Sequence, residues 1–400
     1  MPNPDASDIL KRFDESEQTA RRSMKIWERL TAEFPENIDY LANLGRLHHQ
    51  LSLVLALEGK IQEAYPVLLR GIELLENCPL DLQSSPRGQE YLSFMYSNKV
   101  IHLRKMGELN EAEKFMLKEI DLLQSLSDRF PSAPDYRRDL ANAYSHLGHI
   151  RFTQSRDKES IECFSQAQRL LEINLQQDPL RSRDRDFLVN ALQGRANALI
   201  RTASFAEAIR DWNEAVKLAG HLRSWQFLLE RAMSVSKITD SSFQQDVEDA
   251  KTEAREALND PQLDKEAVNS PTDRVRSAYG IVTVLNEPAR AAAEVELAAT
   301  TYSLDAGSLY NSACVFALCA AATKNDDSQK QECADRAMEM LNQAVKAGWK
   351  DAAHIKKDTD LDPLREREDF KQLLLKLESS QPQAVEPVPS TTQQNSPANP

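Results

Sequence analysis

Apolar residues recur three and four positions apart along most of this chain, which is the period of an amphipathic α-helix. The stretch 136–172 shows the pattern most clearly. Leu140 and Tyr144 share one face of a first helix, a polar turn follows at 154–158, and Phe164 lies on the apolar face of a second helix. One such hairpin cannot bury both of its faces alone, so the pattern predicts similar hairpins stacked on either side.

The chain supplies those hairpins, because it matches itself at a spacing of 48 residues. Each second helix begins with a small residue and has a bulky residue four positions later, and each first helix carries a leucine and, eight positions later, a shorter residue. The aligned sets are Ala64, Ala112, Ser160 and Ala208; Leu68, Met116, Phe164 and Trp212; Leu44, Leu92, Leu140 and Leu188; and Ser52, Val100, Gly148 and Ala196. Short side chains let helix backbones approach and bulky ones fill the space beside them, so these sets are predicted to be packing residues.

This order of small and large residues resembles the tetratricopeptide repeat. The match is carried by Gly148, Ser160, Phe164 and Ala167, and in the next unit by Ala196, Ala208, Trp212 and Ala215. The resemblance implies an all-α fold, a right-handed α-solenoid of helical hairpins that binds a protein segment along its first helices. The usual repeat has about 34 residues, so a spacing of 48 implies longer helices and a groove of different geometry.

The end of the chain carries a second resemblance. The runs LYNSACVFAL, NQAVKAGWKD and LDPLREREDF are similar to the C-terminal repeat region of bacterial serine/threonine protein kinases. The kinase domain is absent from this sequence, which has no glycine-rich loop before a strand lysine, no HRD and no DFG. The resemblance implies either a scaffold in kinase-linked signalling or the regulatory fragment of a kinase whose catalytic domain is encoded separately or lost.

Helix-ending prolines and changes in composition divide the chain. The predicted segments are an N-terminal capping helix at 5–34, four long repeats at 36–220, degenerate helical hairpins at 221–304, a C-terminal hairpin with a capping helix at 305–378, and a disordered tail at 379–400.

Composition narrows the function classes. The formal net charge of −13 disfavours nucleic acid and anionic membranes as partners, because both need a basic surface. The five cysteines are scattered and form no CxxC, so they are predicted to be buried, reduced thiols. No apolar run is long enough to span a bilayer, and the chain is predicted to be cytoplasmic.

Catalytic chemistry has little support in the sequence. His146 and His149 are three residues apart on one helix, but no cysteine or carboxylate completes a metal-binding set. No two carboxyl groups stand out in an apolar setting, and no nucleophile or phosphate-binding motif is present. We therefore expect no catalytic residues, no metal and no cofactor, and a protein that is not an enzyme; an unrecognised helical hydrolase is the remaining alternative.

A protein or peptide ligand is the expected partner, and the oligomeric state is left open. Asparagine side chains can hold a peptide backbone in extended form, and arginine or lysine can meet a carboxylate. The residues predicted to line this peptide-binding groove are Arg104, Lys105, Asn142, His149, Asn190, Asn197 and Arg201.

Overall fold

The structure, a computed structural model, describes residues 6–78, 85–219, 225–260, 270–324 and 326–379. These residues form α-helices and three short 3-10 or π segments, without a β-strand among them. The helices are α1 (Ala6–Glu33), α2 (Ile38–Leu57), α3 (Ile61–Glu76), α4 (Pro86–Lys105), α5 (Leu109–Arg129), α6 (Pro134–Thr153), α7 (Asp157–Gln177), α8 (Ser182–Arg201), α9 (Phe205–Leu218), α10 (Trp225–Val235), α11 (Gln244–Leu258), α12 (Pro271–Gly280), α13 (Pro288–Thr301), α14 (Ala306–Ala322), α15 (Asp327–Lys346), α16 (Ala352–Lys357) and α17 (Glu368–Ser379). The predicted all-α class of TPR-like helical hairpins is confirmed.

The chain divides into two compact units. The first spans residues 1–223 with 237–247, and the second spans 224–236 with 248–400, each as far as its residues are described. The predicted segments 221–304 and 305–378 therefore both contribute helices to the second unit. The predicted tail lies outside the described residues except for Ser379, and the capping role of α1 stays a prediction.

Four hairpins make up most of the first unit: α2 with α3, α4 with α5, α6 with α7, and α8 with α9. Their first helices all have 20 residues, which gives the longer repeat that the spacing of 48 predicts. The aligned packing residues are buried in every hairpin, including Ser160 and Ala208 at 0 % exposure. The register read from the sequence is therefore the register of the core.

In the third and fourth hairpins, one large side chain packs against two glycines on facing helices. The ring of Phe164 lies so close to two helices that a Cβ atom added at Gly148 would be 3.0 Å from it, and one added at Gly194 would be closer still. The second hairpin has the opposite distribution, with a larger Val100 and a flexible Met116, both fully buried. Both solutions fill the same space between helices at interior packing density.

Each of the four hairpins turns through one left-handed residue. These residues are Gly59, Gly107, Ser155 and Ala203, with φ values of 76°, 79°, 61° and 58°. In the third turn the amide of Ser155 donates to the carbonyl oxygen of Phe152 at 3.0 Å, and that of Arg156 donates to Arg151 at 2.9 Å. This is the Schellman pattern, which satisfies the last carbonyl groups of the first helix.

The second unit is built around α14, which is buried on nearly all sides and forms a hairpin with α15. The chain then folds back through α16, a 3-10 turn at Thr359–Leu364 and α17, whose Phe370, Leu373 and Leu377 are buried. Helix α17 is therefore amphipathic, and its capping role stays a prediction. No helix within the described ranges is long and apolar enough to cross a membrane.

Candidate functional site

Successive first helices of the repeats contact each other through their side chains. The rings of His49 on α2 and Phe94 on α4 stack at 5.8 Å. The guanidinium of Arg201 on α8 lies 4.4 Å from the centre of the Phe152 ring on α6. We call the surface formed by these neighbouring side chains of α2, α4, α6 and α8 the first-helix face. All seven residues predicted to bind a peptide lie on three of these helices, α4, α6 and α8, and their shared role in a groove stays a prediction.

A cleft of about 380 Å³ opens on this face between α6 and α8. It is lined by Arg138, Asp139, Arg183, Asp186, Phe187 and Asn190. Arg138 is held by Asp135 at 2.6 Å and by Asp139 at 3.2 Å. Arg183 is exposed and has no hydrogen bond or ion pair with any residue in the described ranges. The cleft therefore offers one cation, an aromatic ring and the amide of Asn190 to a ligand.

Two further cations lie at the end of α4. Arg104 and Lys105 are exposed, and the side chain of neither forms a hydrogen bond or ion pair within the part of the chain that the structure describes. Arg104 is close enough to His146 and His149 on α6 to lower the pKa values of both imidazoles. The structure thus brings Arg104 and His149 together, and it leaves the positive charge of α4 without an internal counterion.

The two histidines are neutral at physiological pH. Burial, with a smaller contribution from Arg104, lowers the pKa values of His146 and His149 to about 4. The ring of His149 meets the Phe164 ring edge-on at 4.9 Å, so one side of it is fixed by the core. Among the described residues neither histidine belongs to a set of three possible metal ligands.

Arg201 and Asn197 are already engaged within the chain. The Nη1 atom of Arg201 donates to the carbonyl oxygen of Phe152 at 3.0 Å, and its Nε atom lies 3.1 Å from a carboxylate oxygen of Asp157. Asn197 is half-buried and also has an interaction within the chain, and Asn142 is half-buried. These contacts fasten α8 to the preceding hairpin, so Arg104 and Lys105 are more available to a ligand than Arg201.

The first-helix face changes from apolar to polar along the array. Leu53, Phe94 and Ile101 on α2 and α4 are 43 %, 44 % and 43 % exposed, although large apolar side chains are usually buried. The positions in register with Leu53 and Ile101 are His149 and Asn197. A ligand lying along the face would meet apolar side chains first and then cations, imidazoles and amides.

One deeply buried carboxyl group was not singled out from the sequence, where the expectation concerned only a pair of carboxyl groups in an apolar setting. Glu119 on α5 is only 6 % exposed, and burial together with the charge of Asp139 raises its pKa to about 8. Burial also raises the pKa of Asp139 itself. The signal was present in the sequence, because Glu119 occupies the register of Ala167 and Ala215, where a charged side chain must be buried.

A second polar cluster lies in the second unit and was also missed. Possible ligand atoms of Cys314, Asp358 and Asp360 lie within 4.8 Å of one another, the one such group among the described residues. The hydroxyl of Tyr310 donates to Asp358 at 2.6 Å and the thiol of Cys314 does so at 3.6 Å, while burial raises the pKa of that thiol. These hydrogen bonds already satisfy Asp358, so the cluster links α14 to the closing segment. All five cysteines are free and buried, as predicted.

The repeated hairpins and their small and large packing positions define a TPR-like helical-repeat protein. No protein-family model matches the chain, and no curated protein matches it in sequence. Among solved structures, BtubC (BKLC) from P. vanneervenii has a TM-score of 0.46 and 12 % identity, covering 64 % of this chain and 94 % of its own. The apo form of the quorum sensor NprR from B. thuringiensis has a TM-score of 0.41 and 14 % identity, covering 93 % and 99 %.

Yeast Tom70 has a TM-score of 0.32 and 14 % identity, covering 92 % of this chain and 90 % of its own. Structural similarity at these TM-scores and identities supports no inference about ligands. The function of this chain has to be argued from its own side chains.

Proposed function

We propose that the chain is a non-catalytic protein-interaction scaffold that binds a peptide or protein segment on the first-helix face. The observation that carries the proposal is the pair of exposed cations, Arg104 and Lys105, which have no counterion among the described residues. They stand beside exposed apolar side chains in a chain whose net charge is −13. Charge and apolar surface together fit a segment that carries an acidic group next to apolar residues.

A selection from a displayed library of random peptides would test this. Peptides enriched on the immobilised chain should contain acidic and apolar residues, and their affinity should fall at least tenfold for the Arg104→Glu/Lys105→Glu variant. Arg70→Glu is the matched control, because Arg70 is exposed on α3 and forms an ion pair with Glu73 on the same helix. Enriched peptides that bind the double variant as tightly as the original chain would show that the first-helix face is not the binding surface.

The kinase-linked setting is a further part of the proposal and rests on the resemblance of residues 305–378. Its three sequence runs meet in the structure. Tyr310 of the first run and Trp349 of the second stack at 4.2 Å, and α14, which contains the first run, contacts the 3-10 turn Thr359–Leu364 at the start of the third. The same resemblance also fits the alternative function, in which the chain is a regulatory fragment of a kinase whose catalytic domain is encoded separately or lost. An adjacent reading frame for a kinase domain would favour the fragment, and we propose a cytoplasmic location in either case.

A further inference from the structure

Helix α1 occupies the register of a second helix. Subtracting the spacing of 48 from the packing positions of α3 leads to Ser16, Ala20 and Ser23. Ala20 packs against Leu51 and Leu55 of α2, as the second helix of each hairpin packs against the first helix of the next one. Helix α1 therefore has the position of a second helix of a hairpin in the array.

The side of α1 that would face its own first helix is uncovered. Ser16 is exposed, whereas Ala64, Ala112, Ser160 and Ala208 in the same register are at most 6 % exposed. Ile26 is 60 % exposed, whereas Leu74, Leu122, Leu170 and Leu218 in its register are half-buried. In the third hairpin this covering is done by α6, whose Gly148 carbonyl accepts a hydrogen bond from Ser160 at 2.8 Å. Within the described ranges no helix does the same for α1.

A cleft of about 690 Å³ lies at this place between α1 and α2. Ser16, Ala20 and Ser23 line it from α1, and Arg46, Gln50 and Leu53 line it from α2. Ala20, which lines this cleft, is small where the four aligned residues are bulky. Those aligned residues are Leu68, Met116, Phe164 and Trp212.

We propose that the α1–α2 cleft binds an amphipathic α-helix of a partner protein, which lies where a first helix would lie. The four hairpins show what covers this face: a helix with apolar residues at every fourth position, as in Leu140 and Tyr144. They also show that facing volumes are complementary, Gly148 opposite Phe164 and Val100 opposite Met116. A partner helix facing Ala20 must therefore supply a bulky side chain where α6 has Gly148.

A second copy of the chain does not meet this requirement. Its first helices are each packed against their own second helices and are not available. Two copies of α1 facing each other would bring Ser16, Ala20 and Ser23 against the same small residues and leave the volume unfilled. The proposed ligand is a helix and its site lies on α1 and α2, so this proposal is separate from the binding of a segment at Arg104 and Lys105.

The test uses labelled peptides with the sequence of residues 134–153, with and without the change Gly148→Phe, titrated against the whole chain by fluorescence anisotropy. The Gly148→Phe peptide should bind at least tenfold more tightly than the unchanged peptide. With the Ala20→Phe chain this preference should be lost or reversed, because the bulk is then supplied by α1. The Arg104→Glu/Lys105→Glu chain should bind both peptides as the original chain does.

Ser16→Arg provides a second blocking variant at an exposed position, and melting temperatures verify that each variant is folded. Peptide binding that does not discriminate between Gly148 and Phe, or that is unchanged by both Ala20→Phe and Ser16→Arg, would overturn the proposal. So would a dimer in sedimentation that Ala20→Phe dissociates, since a second copy would then occupy the cleft.

Discussion

The second and third hairpins have the same backbone register but different interiors. In the third, a rigid Phe164 ring is held between Gly148 and Gly194, and the position of Ala167 is apolar. In the second, Val100 and Met116 fill the corresponding space, and Glu119 places a carboxyl group where Ala167 would be. The repeat register therefore determines which positions are buried. The side chains that fill those positions differ from one hairpin to the next.

The difference also extends to the turns. Gly107 in the second hairpin adopts its left-handed conformation without a steric cost, whereas Ser155 in the third adopts the same conformation with a Cβ atom. The third hairpin thus combines the closer helix packing with the more strained turn. Substitutions that exchange features between the two hairpins test which of these differences matters.

The largest loss of stability is expected from Gly148→Val, which puts the valine of the second hairpin against the ring of the third. Its methyl groups would overlap Phe164, and overpacking of this kind costs about 3 kcal/mol in the free energy of unfolding. The double variant Gly148→Val/Phe164→Met copies the pair Val100 and Met116 and should recover most of that loss. Urea unfolding measures both, and a double variant no more stable than the sum of its two single changes would refute volume exchange.

A pH-dependent effect is expected from Glu119→Gln, which replaces the buried carboxyl group of the second hairpin with an amide that cannot ionise. Burial raises the pKa of Glu119 from an ordinary 4.5 to about 8, so between these values the folded chain binds a proton that the unfolded chain has released. Stability then falls as pH rises through this window. The variant should therefore gain about 4 kcal/mol in the free energy of unfolding relative to the original chain between pH 4 and pH 8, and should be nearly equal to it at pH 4.

Chemical unfolding at a series of pH values measures that difference. Glu111→Gln, at a less buried position of the same helix, is the matched control. A constant difference between Glu119→Gln and the original chain from pH 4 to pH 8 would mean that the pKa of Glu119 is the same in the folded and unfolded chain, which would contradict the prediction.

The smallest effect concerns the turns. Ser155→Gly relieves the left-handed conformation of a residue with a Cβ atom and should stabilise the chain by about 0.5 kcal/mol, the relief being partly offset by the greater entropy of glycine in the unfolded chain. Gly107→Ser makes the reverse change in the second hairpin and should destabilise it by a similar amount. Thermal unfolding measures the change in stability of both variants. If both changes stabilise the chain, or both destabilise it, the prediction is contradicted.

Much of the fold could be predicted from the sequence because one period repeats. The columns of Leu44, Ser52, Ala64 and Leu68 were assigned to the core from spacing and size alone, and the structure buries them. Helix period and side-chain volume are local properties, so they can be read without knowing the neighbours. Glu119 was predictable on the same ground, since its register position was known to be small and apolar elsewhere.

The candidate site was less predictable because it depends on contacts between repeats. Spacing placed Arg201 on the first-helix face, but only the structure shows its guanidinium committed to Phe152 and Asp157. In the same way, Cys314 and Asp358 are far apart in sequence, and their hydrogen bond forms because the segment after α15 folds back. Predicting such contacts requires the tertiary path of the chain, which residue types and spacing alone do not give.

The position of Phe164 has a consequence for how the array unfolds. Its ring touches Gly148 of its own hairpin and Gly194 of the next, so loss of either hairpin exposes it to water. In repeat arrays the coupling between neighbours determines whether repeats open singly or in groups. We therefore expect the third and fourth hairpins to open together, so that their amide protons exchange with a common opening free energy.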